Sequence, residues 1–388
     1  MIRKLLVTSL KRSLSAERVH KVRLALGRVN QRLWSSARPK SLDTRLQAAR
    51  VHFAERSPLR EFTARFDDPR INTAFARPAG SGRVEYLYRI KEKCVVEPRF
   101  GFVILPTAGI VWQSVSQTDY VPFPTHCTDL GCVPSPLDYL ARSRVASRYE
   151  PRVASLRTLH ENNYWHFLHD TLGKVSFFAD HGIPEDIPLV VGANLYDSRF
   201  FQEALSRGML AGRRLIRQDS FYIRADEVVF GAPFPHDRRR FEKTLGLLNA
   251  PVPDKNANRK VYLTRARSRG RYVANDDEVG QISREAGFDV VDTDNLTIAD
   301  QMELFGTIRY LIGVHGAGLT NMIFRRDLPL SLLELFDPGH IAPHYYWLAD
   351  DFGHAYDALV GESDTASPGG FRIDPAALRA KIARILET

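Results

Sequence analysis

The stretch RYLIGVHGAGLTNMIF, from Arg309 to Phe324, decides the fold of this chain. An apolar run with strand character leads into the small residues HGAG, and a helical pattern begins directly after them. Such a turn lets the backbone approach a ligand, and its exposed N–H groups and positive helix end favour phosphate. The spacing is neither the GxGxxG pattern nor a P-loop, so it indicates neither NAD nor a Walker-type ATP site.

The sequence on both sides of this stretch alternates strand and helix. Before it lie the strand KVYLTRAR, the helix NDDEVGQISREAG capped by Asn275 or Asp276, the strand FDVVDTD and the helix TIADQMELFGTI; the strand LSLLELF follows it. β/α units in series predict a doubly wound domain with a parallel sheet.

The preceding part of the chain shows a weaker version of the same alternation. From about residue 50 to 235, short apolar runs such as GFVILP and IPLVVGA alternate with helical patterns, which predicts a largely parallel sheet covered on both faces. Segment 233–260 is rich in charge, Pro and Asn, and is predicted to be a helix followed by an interdomain linker.

Length and charge are consistent with two domains that bind an anion. A chain of 388 residues exceeds the usual size of one domain. Its net charge of +9 favours anionic partners, but no recognition-module pattern is present, so nucleic acid is not expected. Three cysteines argue against a disulfide framework and suit a reducing compartment.

The N-terminal segment is basic and is predicted to be helical. Its apolar run LLVTSL is too short for a signal peptide, and no run reaches the length of a membrane span, so a cytoplasmic location is expected. The segment alternates Leu and Val with Arg and Lys. This pattern fits a helix at a membrane surface, here the inner face, and equally a helix packed on its own protein.

The stretch NYWHFLHD, Asn163 to Asp170, holds the candidate acid–base residues. Read as a helix, it places His166, His169 and Asp170 on the face opposite an apolar stripe that begins at Leu168. His166 and Asp170 are four residues apart, so their side chains can meet, and an imidazole held by a carboxylate is a competent general base. The alternatives at this point are a solvated helix face and a metal site.

A basic loop follows the strand KVYLTRAR. It carries Arg265, Arg267, Arg269 and Arg271 at the end of a predicted sheet, where ligands usually bind. Guanidinium groups fork onto phosphate oxygens and remain charged at physiological pH. A solvated basic loop would explain some of these arginines equally well.

The motifs HENNYWHFLHD, YLTRARSRGRYVANDDEV, TIADQMELFGTIRYLIGVHGAGLTNMIF and LLELFDP together resemble glycosyltransferase family 61, over about residues 155–340. The resemblance implies a GT-B fold, in which two Rossmann-like domains face each other across a cleft. It also implies an inverting transferase that uses a UDP-sugar. The absence of an anchor pattern makes the chain look like bacterial members that build capsular and other polysaccharides.

The resemblance assigns roles to individual residues. His166 and Asp170 match the catalytic histidine and aspartate of the N-terminal domain. The nucleotide-sugar site is implied to comprise Arg265, Arg271, Asn275, His315, Gly316, Ala317, Gly318, Leu319, Asn321 and Glu334, the last where GT-B enzymes often hold the ribose. The implied organisation is a basic helical arm at 1–50, an acceptor domain at 51–250 and a nucleotide-sugar domain at 251–388. The implied acceptor is a glycan, either free or attached to a lipid.

No metal or other cofactor is expected, because arginines and a helix end can offset the diphosphate charge. Asp292 and Asp294 mimic a metal-binding DxD motif, but they are predicted to form a turn and a helix cap. Two other functions stay open. The first is a metal-dependent phosphohydrolase using His160, His166, His169 and Asp170, and the second is a non-catalytic sugar or nucleotide binder.

Overall fold

The computed structural model of the chain describes residues 16–36, 41–56, 65–76, 83–107, 109–115, 132–234 and 237–387. The first fifteen residues of the predicted basic arm lie outside them.

Helices are distributed along the whole described chain. The α-helices are α1 Ala16–Ser36, α2 Ser41–Ala48, α3 Pro69–Phe75, α4 Pro136–Arg142, α5 Tyr164–His166, α6 Leu172–Asp180, α7 Ala193–Tyr196, α8 Arg199–Ser206, α9 Arg238–Leu247, α10 Asp276–Glu285, α11 Ile298–Thr307, α12 His344–Phe352 and α13 Pro375–Leu386. A π-helical turn, Phe167–Thr171, joins α5 to α6, and 3₁₀ helices span Trp112–Val115, Arg267–Arg269 and Ala317–Arg325.

The strands form three larger sheets and one three-stranded sheet. They are β1 Arg50–Arg56, β2 Arg83–Ile90, β3 Cys94–Val96, β4 Val103–Leu105, β5 Gly109–Val111, β6 Ser147–Tyr149, β7 Arg152–Ser155, β8 Leu189–Gly192, β9 Leu215–Gln218, β10 Tyr222–Ala225, β11 Glu227–Ala232, β12 Arg259–Leu263, β13 Tyr272–Val273, β14 Asp289–Val291, β15 Ile308–Val314, β16 Ser331–Phe336, β17 Ala355–Val360, β18 Glu362–Ser363 and β19 Gly370–Arg372.

The C-terminal sheet is the doubly wound sheet that the sequence predicts. Its order is β14-β12-β15-β16-β17, and every neighbouring pair is parallel. Alternate residues of its strands enter two different cores: Tyr262 and Ile312 pack with α10 and α13, whereas Val261 and Leu311 pack with α11 and α12. Burial on both faces explains the continuous apolar runs of these strands.

The N-terminal half departs from the predicted parallel sheet in two respects. Its six-stranded sheet, β1-β2-β11-β7-β8-β9, is parallel from β11 to β9, but β1 and β2 are antiparallel additions. One face packs against α6, α8 and α9; the other packs against a second sheet, β5-β4-β3-β10-β6. Both faces are therefore covered, as predicted, but a sheet together with α2 covers the second face, where the implied Rossmann-like domain would have helices alone. The short connections between β3, β4 and β5 leave no room for crossover helices, which makes these strands antiparallel.

The two halves share a continuous apolar core. One hydrophobic cluster runs from Leu156 and Phe177 in the N-terminal half to Leu263 and Leu348 in the C-terminal half. In addition, Phe75 of α3 packs against Phe336 of the C-terminal sheet, although the sequence groups α3 with residues 51–250.

Trp34 anchors helix α1 to the body of the protein. Trp34 is buried, and its indole N–H donates to the carbonyl of Pro134 at 2.8 Å. Within the described part of the chain, no helix is both long and apolar enough to span a bilayer.

Candidate active site

The doubly wound sheet reverses its strand order between β12 and β15, the first and third strands of this sheet along the chain. Connections leave these neighbouring strands toward opposite faces, which opens a crevice beyond their carboxyl ends, the usual ligand site of such sheets. A cavity of about 530 Å³ lies there. The C-terminal half lines it with residues that include Thr264, Arg265, Arg271, Gly316, Ala317 and Gly318, and the N-terminal half contributes Asn162, Asn163, Tyr164, Arg199 and Phe200.

Arg271 is the least satisfied group of this cavity. It lines the wall, and its Nη1 is buried with no hydrogen-bond partner in the described structure. Its backbone is left-handed, with φ of +50°, directly after Gly270 with φ of +63°. A non-glycine residue in that conformation is held there at an energetic cost, which is typical of functional sites. The guanidinium therefore lies beside the cavity with hydrogen-bonding capacity that the described residues leave unused.

Gly316 makes room for the second arginine of the cavity. A Cβ atom at this position would lie 2.0 Å from Nη1 of Arg265, so only glycine accommodates the guanidinium there. The Nε–H of Arg265 donates to the carbonyl of Gly270 at 2.8 Å, which connects this arginine to the loop that carries Arg271. The turn and the basic loop, predicted separately from the sequence, form one wall.

The segment after this turn is a 3₁₀ helix, Ala317–Arg325, rather than the predicted α-helix. Asn321 is fully buried within it; its Oδ1 accepts from the Tyr164 hydroxyl at 2.8 Å, and its Nδ2 donates to Gln301 at 2.8 Å. Asn321 thus connects the two halves below the cavity, and Leu319 is a fully buried core residue. Neither side chain lines the cavity.

His315 and Glu334 form a buried pair behind the turn. His315 Nδ1 lies 2.6 Å from Glu334 Oε1, and the Tyr356 hydroxyl donates to Glu334 Oε2 at 2.5 Å. Burial, reinforced by Arg271 and Arg265, lowers the pKa of His315 to about 3, and burial raises the pKa of Glu334 well above its usual value. Both carboxylate oxygens of Glu334 are engaged and neither side chain lines the cavity, so the structure does not bring Glu334 to a ribose position.

Asn275 also lies away from the cavity. Its side chain donates to and accepts from the backbone of Ile373, at 2.9 and 3.0 Å. It occupies the N-cap position of α10, as the sequence predicts, but makes no capping hydrogen bond, because its amide is used to fasten the chain after β19.

The predicted acid–base residues lie on the π-helical turn and the helix before it. Asp170 Oδ2 is 2.6 Å from His166 Nδ1, and Asp170 Oδ1 is 2.7 Å from His169 Nδ1. Burial alone would raise the pKa of Asp170, but the hydrogen bonds from the two imidazoles outweigh it and hold the pKa below its ordinary range. The ionised carboxylate can only accept, so both imidazoles carry their proton on Nδ1, which leaves Nε2 as the basic nitrogen.

The burial of this cluster excludes the solvated-face alternative. His169 is 6% exposed and Asp170 is 2% exposed, whereas the His166 side chain keeps 18% exposure. The i, i+4 contact of His166 with Asp170 was predictable from spacing. The second contact, from His169, was not, because it joins two consecutive residues, whose side chains diverge on a regular α-helix; here both lie in the wider π turn.

Sequence reasoning also missed a buried charged network beneath the cluster. The side chain of Arg157 pairs with Glu161 and donates to Gln218, and Lys174 donates to the Arg157 carbonyl at 2.7 Å. Burial lowers the pKa of Lys174 to about 8, although Asp170 and Glu161 act in the opposite direction. The spacing of Arg157 and Glu161 at i, i+4 was the available signal.

Two aromatic rings connect the histidine cluster to the C-terminal half. Trp165 stacks on His169 with ring centroids 4.8 Å apart and meets Tyr345 at 5.6 Å. Tyr345 in turn lies 5.2 Å from His315. None of these rings lines the cavity, and neither do His166 and Asp170; the cluster adjoins the cavity through Asn163 and Tyr164, which do line it.

The metal-site alternative is not favoured by this geometry. Asp170 commits both oxygens to His166 and His169, and these residues are not among the described groups that bring three ligand atoms within 4.8 Å of one another. Asp292 and Asp294 do line the cavity, and Asp292 accepts from the Asp294 N–H at 2.8 Å, which confirms the predicted turn. The predicted helix cap is wrong, because Thr297 caps α11.

The family model described as Glycosyltransferase 61 matches residues 164–329. The matched range begins with the π-helical segment and ends just after the 3₁₀ helix, so it contains His166, Asp170, Arg271 and the turn at Gly316 but not Glu334. No curated protein was found to match the chain.

Proposed function

We propose that the chain is an inverting glycosyltransferase that moves a sugar from a UDP-sugar to a hydroxyl of a glycan. The match of residues 164–329 to the glycosyltransferase 61 family model supports the transferase activity. The nucleotide, the stereochemistry and the residue roles are proposals that rest on the geometry of the cavity.

The observation that carries the donor site is the buried, unpartnered Nη1 of Arg271 in a cavity at the strand-order reversal. A diphosphate would satisfy this atom, and Arg265 beside Gly316 would provide a second guanidinium. The backbone of Gly316 to Gly318 lines the same wall. Two arginines aimed at the leaving group stabilise the charge that develops on it as the bond to the sugar breaks.

The His166–Asp170 pair would supply the base. As the acceptor oxygen attacks the anomeric carbon, His166 Nε2 takes the hydroxyl proton, and the bond from that carbon to the diphosphate oxygen breaks to release UDP. Attack from the side opposite the leaving group inverts the anomeric centre. Asp170 keeps Nδ1 of His166 protonated and stabilises the imidazolium that forms.

The division of the site between the two halves supports a GT-B type arrangement as a further part of the proposal. The donor residues belong to 251–388, the base belongs to 51–250, and the cavity receives residues from both. Helix α3 belongs to the N-terminal part of the chain but packs on the C-terminal sheet. We therefore assign it to the C-terminal domain in this proposal.

Helix α1 supports a membrane-linked acceptor, such as a lipid-linked glycan at the cytoplasmic face. Val22, Leu26, Val29 and Leu33 are 41%, 59%, 52% and 47% exposed and share one stripe at i, i+4, i+7 and i+11. Exposed basic residues border the stripe on one side by helical geometry: Arg18, Lys21, Arg28 and Arg32. An apolar stripe beside a basic one is typical of a helix that lies on an anionic bilayer.

A UDP-release screen over several UDP-sugars tests the catalytic proposal, since transferases commonly hydrolyse their donor slowly without acceptor. We expect UDP release from one donor and an inverted anomeric product with a glycan acceptor. Tight UDP binding without turnover under any donor and acceptor would favour the non-catalytic alternative and contradict the proposal.

Flotation with vesicles of anionic or neutral lipid tests the membrane proposal separately. Wild type is expected to float with anionic vesicles only, and Leu26→Asp is expected to abolish flotation. Val252→Asp is the matched control, because Val252 is 83% exposed but lies outside α1. Equal flotation of wild type and Leu26→Asp would remove α1 as the contact.

A further inference from the structure

A second group of ligand-type side chains lies away from the cavity, where β1 and β2 meet α6. In the β1–β2 pairing, Ala54 is opposite Glu85 and His52 is opposite Leu87. Directly opposite residues share a face, so His52 and Glu85 are diagonal neighbours on one face of the ribbon. His181, the residue after α6, reaches the same face, and none of the three lines the cavity.

The ligand atoms of these three side chains are already close together. One atom each from His52, Glu85 and His181 lies within 4.8 Å of the other two, the only such group in the described ranges. His52 Nε2 is 2.8 Å from Glu85 Oε1, and the two imidazole rings are 4.2 Å apart at 32°. Zinc bonds of about 2.0–2.2 Å place tetrahedral ligands roughly 3.3–3.5 Å apart, so small side-chain rotations would complete the set.

The surroundings hold the three side chains in a form suited to a cation. The Phe234 N–H donates to Glu85 Oε2 at 3.2 Å, which leaves Oε1 for the site. The edge of Phe177 packs against His52 and His181, with centroids at 5.9 and 4.7 Å. A second shell of this kind orients metal ligands.

The electrostatics around the group agree with this interpretation. Arg240, which lies over the Phe177 ring, and Lys243 both pair with Asp180, the residue before His181. These ion pairs offset the repulsion of a cation by the two basic side chains.

We propose that His52, Glu85 and His181 bind one zinc ion, with water completing a tetrahedral site. Two imidazoles and one carboxylate are a known zinc ligand set. The ion would tie the antiparallel ribbon β1–β2 to the end of α6, the helix that continues from the π turn carrying Asp170. The site is independent of the proposed transferase activity, and its ion takes no part in sugar transfer.

The test uses the full chain, purified without a metal-affinity tag, dialysed against EDTA and then titrated with Zn²⁺. We expect about one zinc per chain by elemental analysis and a rise in Tm with Zn²⁺. With Co²⁺ as the probe, the visible spectrum should have the intense bands of a tetrahedral site.

Glu85→Gln is the diagnostic variant, because it keeps the shape and one acceptor oxygen but removes the charge of the ligand. We expect it to lower zinc affinity at least about tenfold and to remove most of the Tm response. Glu227→Gln is the matched control and should bind like wild type: Glu227 lies in the same sheet, its side chain is 12% exposed against 13% for Glu85, and it pairs with Arg89.

Three results would overturn the proposal. The first is wild-type protein that takes up neither Zn²⁺ nor Co²⁺, which would leave the group as a hydrogen-bonded pair with a packed ring. The second is undiminished zinc binding in Glu85→Gln. The third is equal loss in Glu85→Gln and Glu227→Gln, which would indicate a general defect of the sheet.

Discussion

Asp170 is a buried carboxylate with two imidazole partners, and its position explains why the two histidines differ. His169 is stacked under Trp165 and almost fully buried, so its contact with Asp170 is structural. His166 keeps an exposed edge while Asp170 fixes its tautomer. His169 holds Asp170 in place, and Asp170 orients His166. The proposed base is therefore already positioned before the substrate binds.

Arg271 gives the first prediction at the residue scale. Arg271→Ala is expected to weaken UDP by about 1.5–3 kcal/mol, the range for a hydrogen bond to a charged group, because it removes the guanidinium that faces the cavity. Isothermal titration calorimetry with UDP measures this change.

Arg267→Ala is the matched control, since Arg267 is exposed on the same loop, does not line the cavity, and its guanidinium lies over the Tyr272 ring at 5.4 Å. It should bind UDP like wild type. Unchanged affinity in Arg271→Ala, or equal losses in both variants, would remove Arg271 from the donor site.

At the scale of elements, the sequence predicted which segments form the site better than it predicted which side chains enter it. The strands β12, β15 and β16 were readable because each is buried on both faces and therefore almost continuously apolar. Local spacing cannot tell a residue that faces a ligand from one that fastens the backbone. Asn275 and Leu319 lie within the right motifs, yet one holds Ile373 and the other fills the core.

Backbone geometry was the other feature that the pattern could not supply. The π turn at Phe167–Thr171 and the 3₁₀ helix at Ala317–Arg325 both interrupt sequences with ordinary helical periodicity. Contacts across the molecule, such as Tyr164 with Asn321, select these conformations. A single sequence contains no record of such pairs, because tertiary packing overrides local preference.

The turn after β15 gives the prediction at this scale. Gly316→Ala places a methyl group where Arg265 Nη1 now lies, so the guanidinium must leave the cavity wall. We expect UDP affinity to fall about tenfold or more, the effect of losing one charged hydrogen bond. Thermal unfolding should change little, since the φ of Gly316, 165°, is extended backbone.

Gly246→Ala serves as the control for that substitution, because nothing lies within 4 Å of the added Cβ on helix α9. Its UDP affinity should equal that of wild type. Retained UDP binding in Gly316→Ala would show that Arg265 does not need its present position.

At the scale of the whole molecule, one continuous hydrophobic core joins the two halves. Glu203 on α8 accepts from the backbone N–H of Ile298 at the start of α11, at 2.8 Å, and Arg199 on α8 donates to the carbonyl of Asp294 at 3.3 Å. These contacts lie beside the cavity and hold its two walls in register. The division at residue 250 stays a prediction from the linker composition. The attachment of α3 to the C-terminal sheet was not predicted from the sequence.

Chelation separates the two sites at this scale. We expect EDTA to leave UDP release at 25 °C unchanged, because Arg265 and Arg271 offset the diphosphate charge. Over the same treatment, Tm should fall as zinc leaves His52, Glu85 and His181. Lost turnover restored by Mn²⁺ and absent from Asp292→Asn would instead make the cavity aspartates metal ligands.

In the proposed mechanism, the base lies in the N-terminal half and the donor site lies in the C-terminal half. Asp170→Asn tests the contact with His166. Asp180→Asn is its matched control, because it removes the same charge from the same helical segment, and Asp180 pairs with Arg240 and Lys243. Asp170→Asn should lower kcat, and Asp180→Asn should not.

The most direct measurement is kcat together with the Kd for UDP in His166→Ala. The account predicts that kcat falls by about 10²- to 10⁴-fold, the usual cost of losing a general base, while UDP binds as tightly as it does to wild type. Wild-type kcat in this variant, or a fall in activity that is matched by lost UDP binding, would contradict the assignment of His166 as the base.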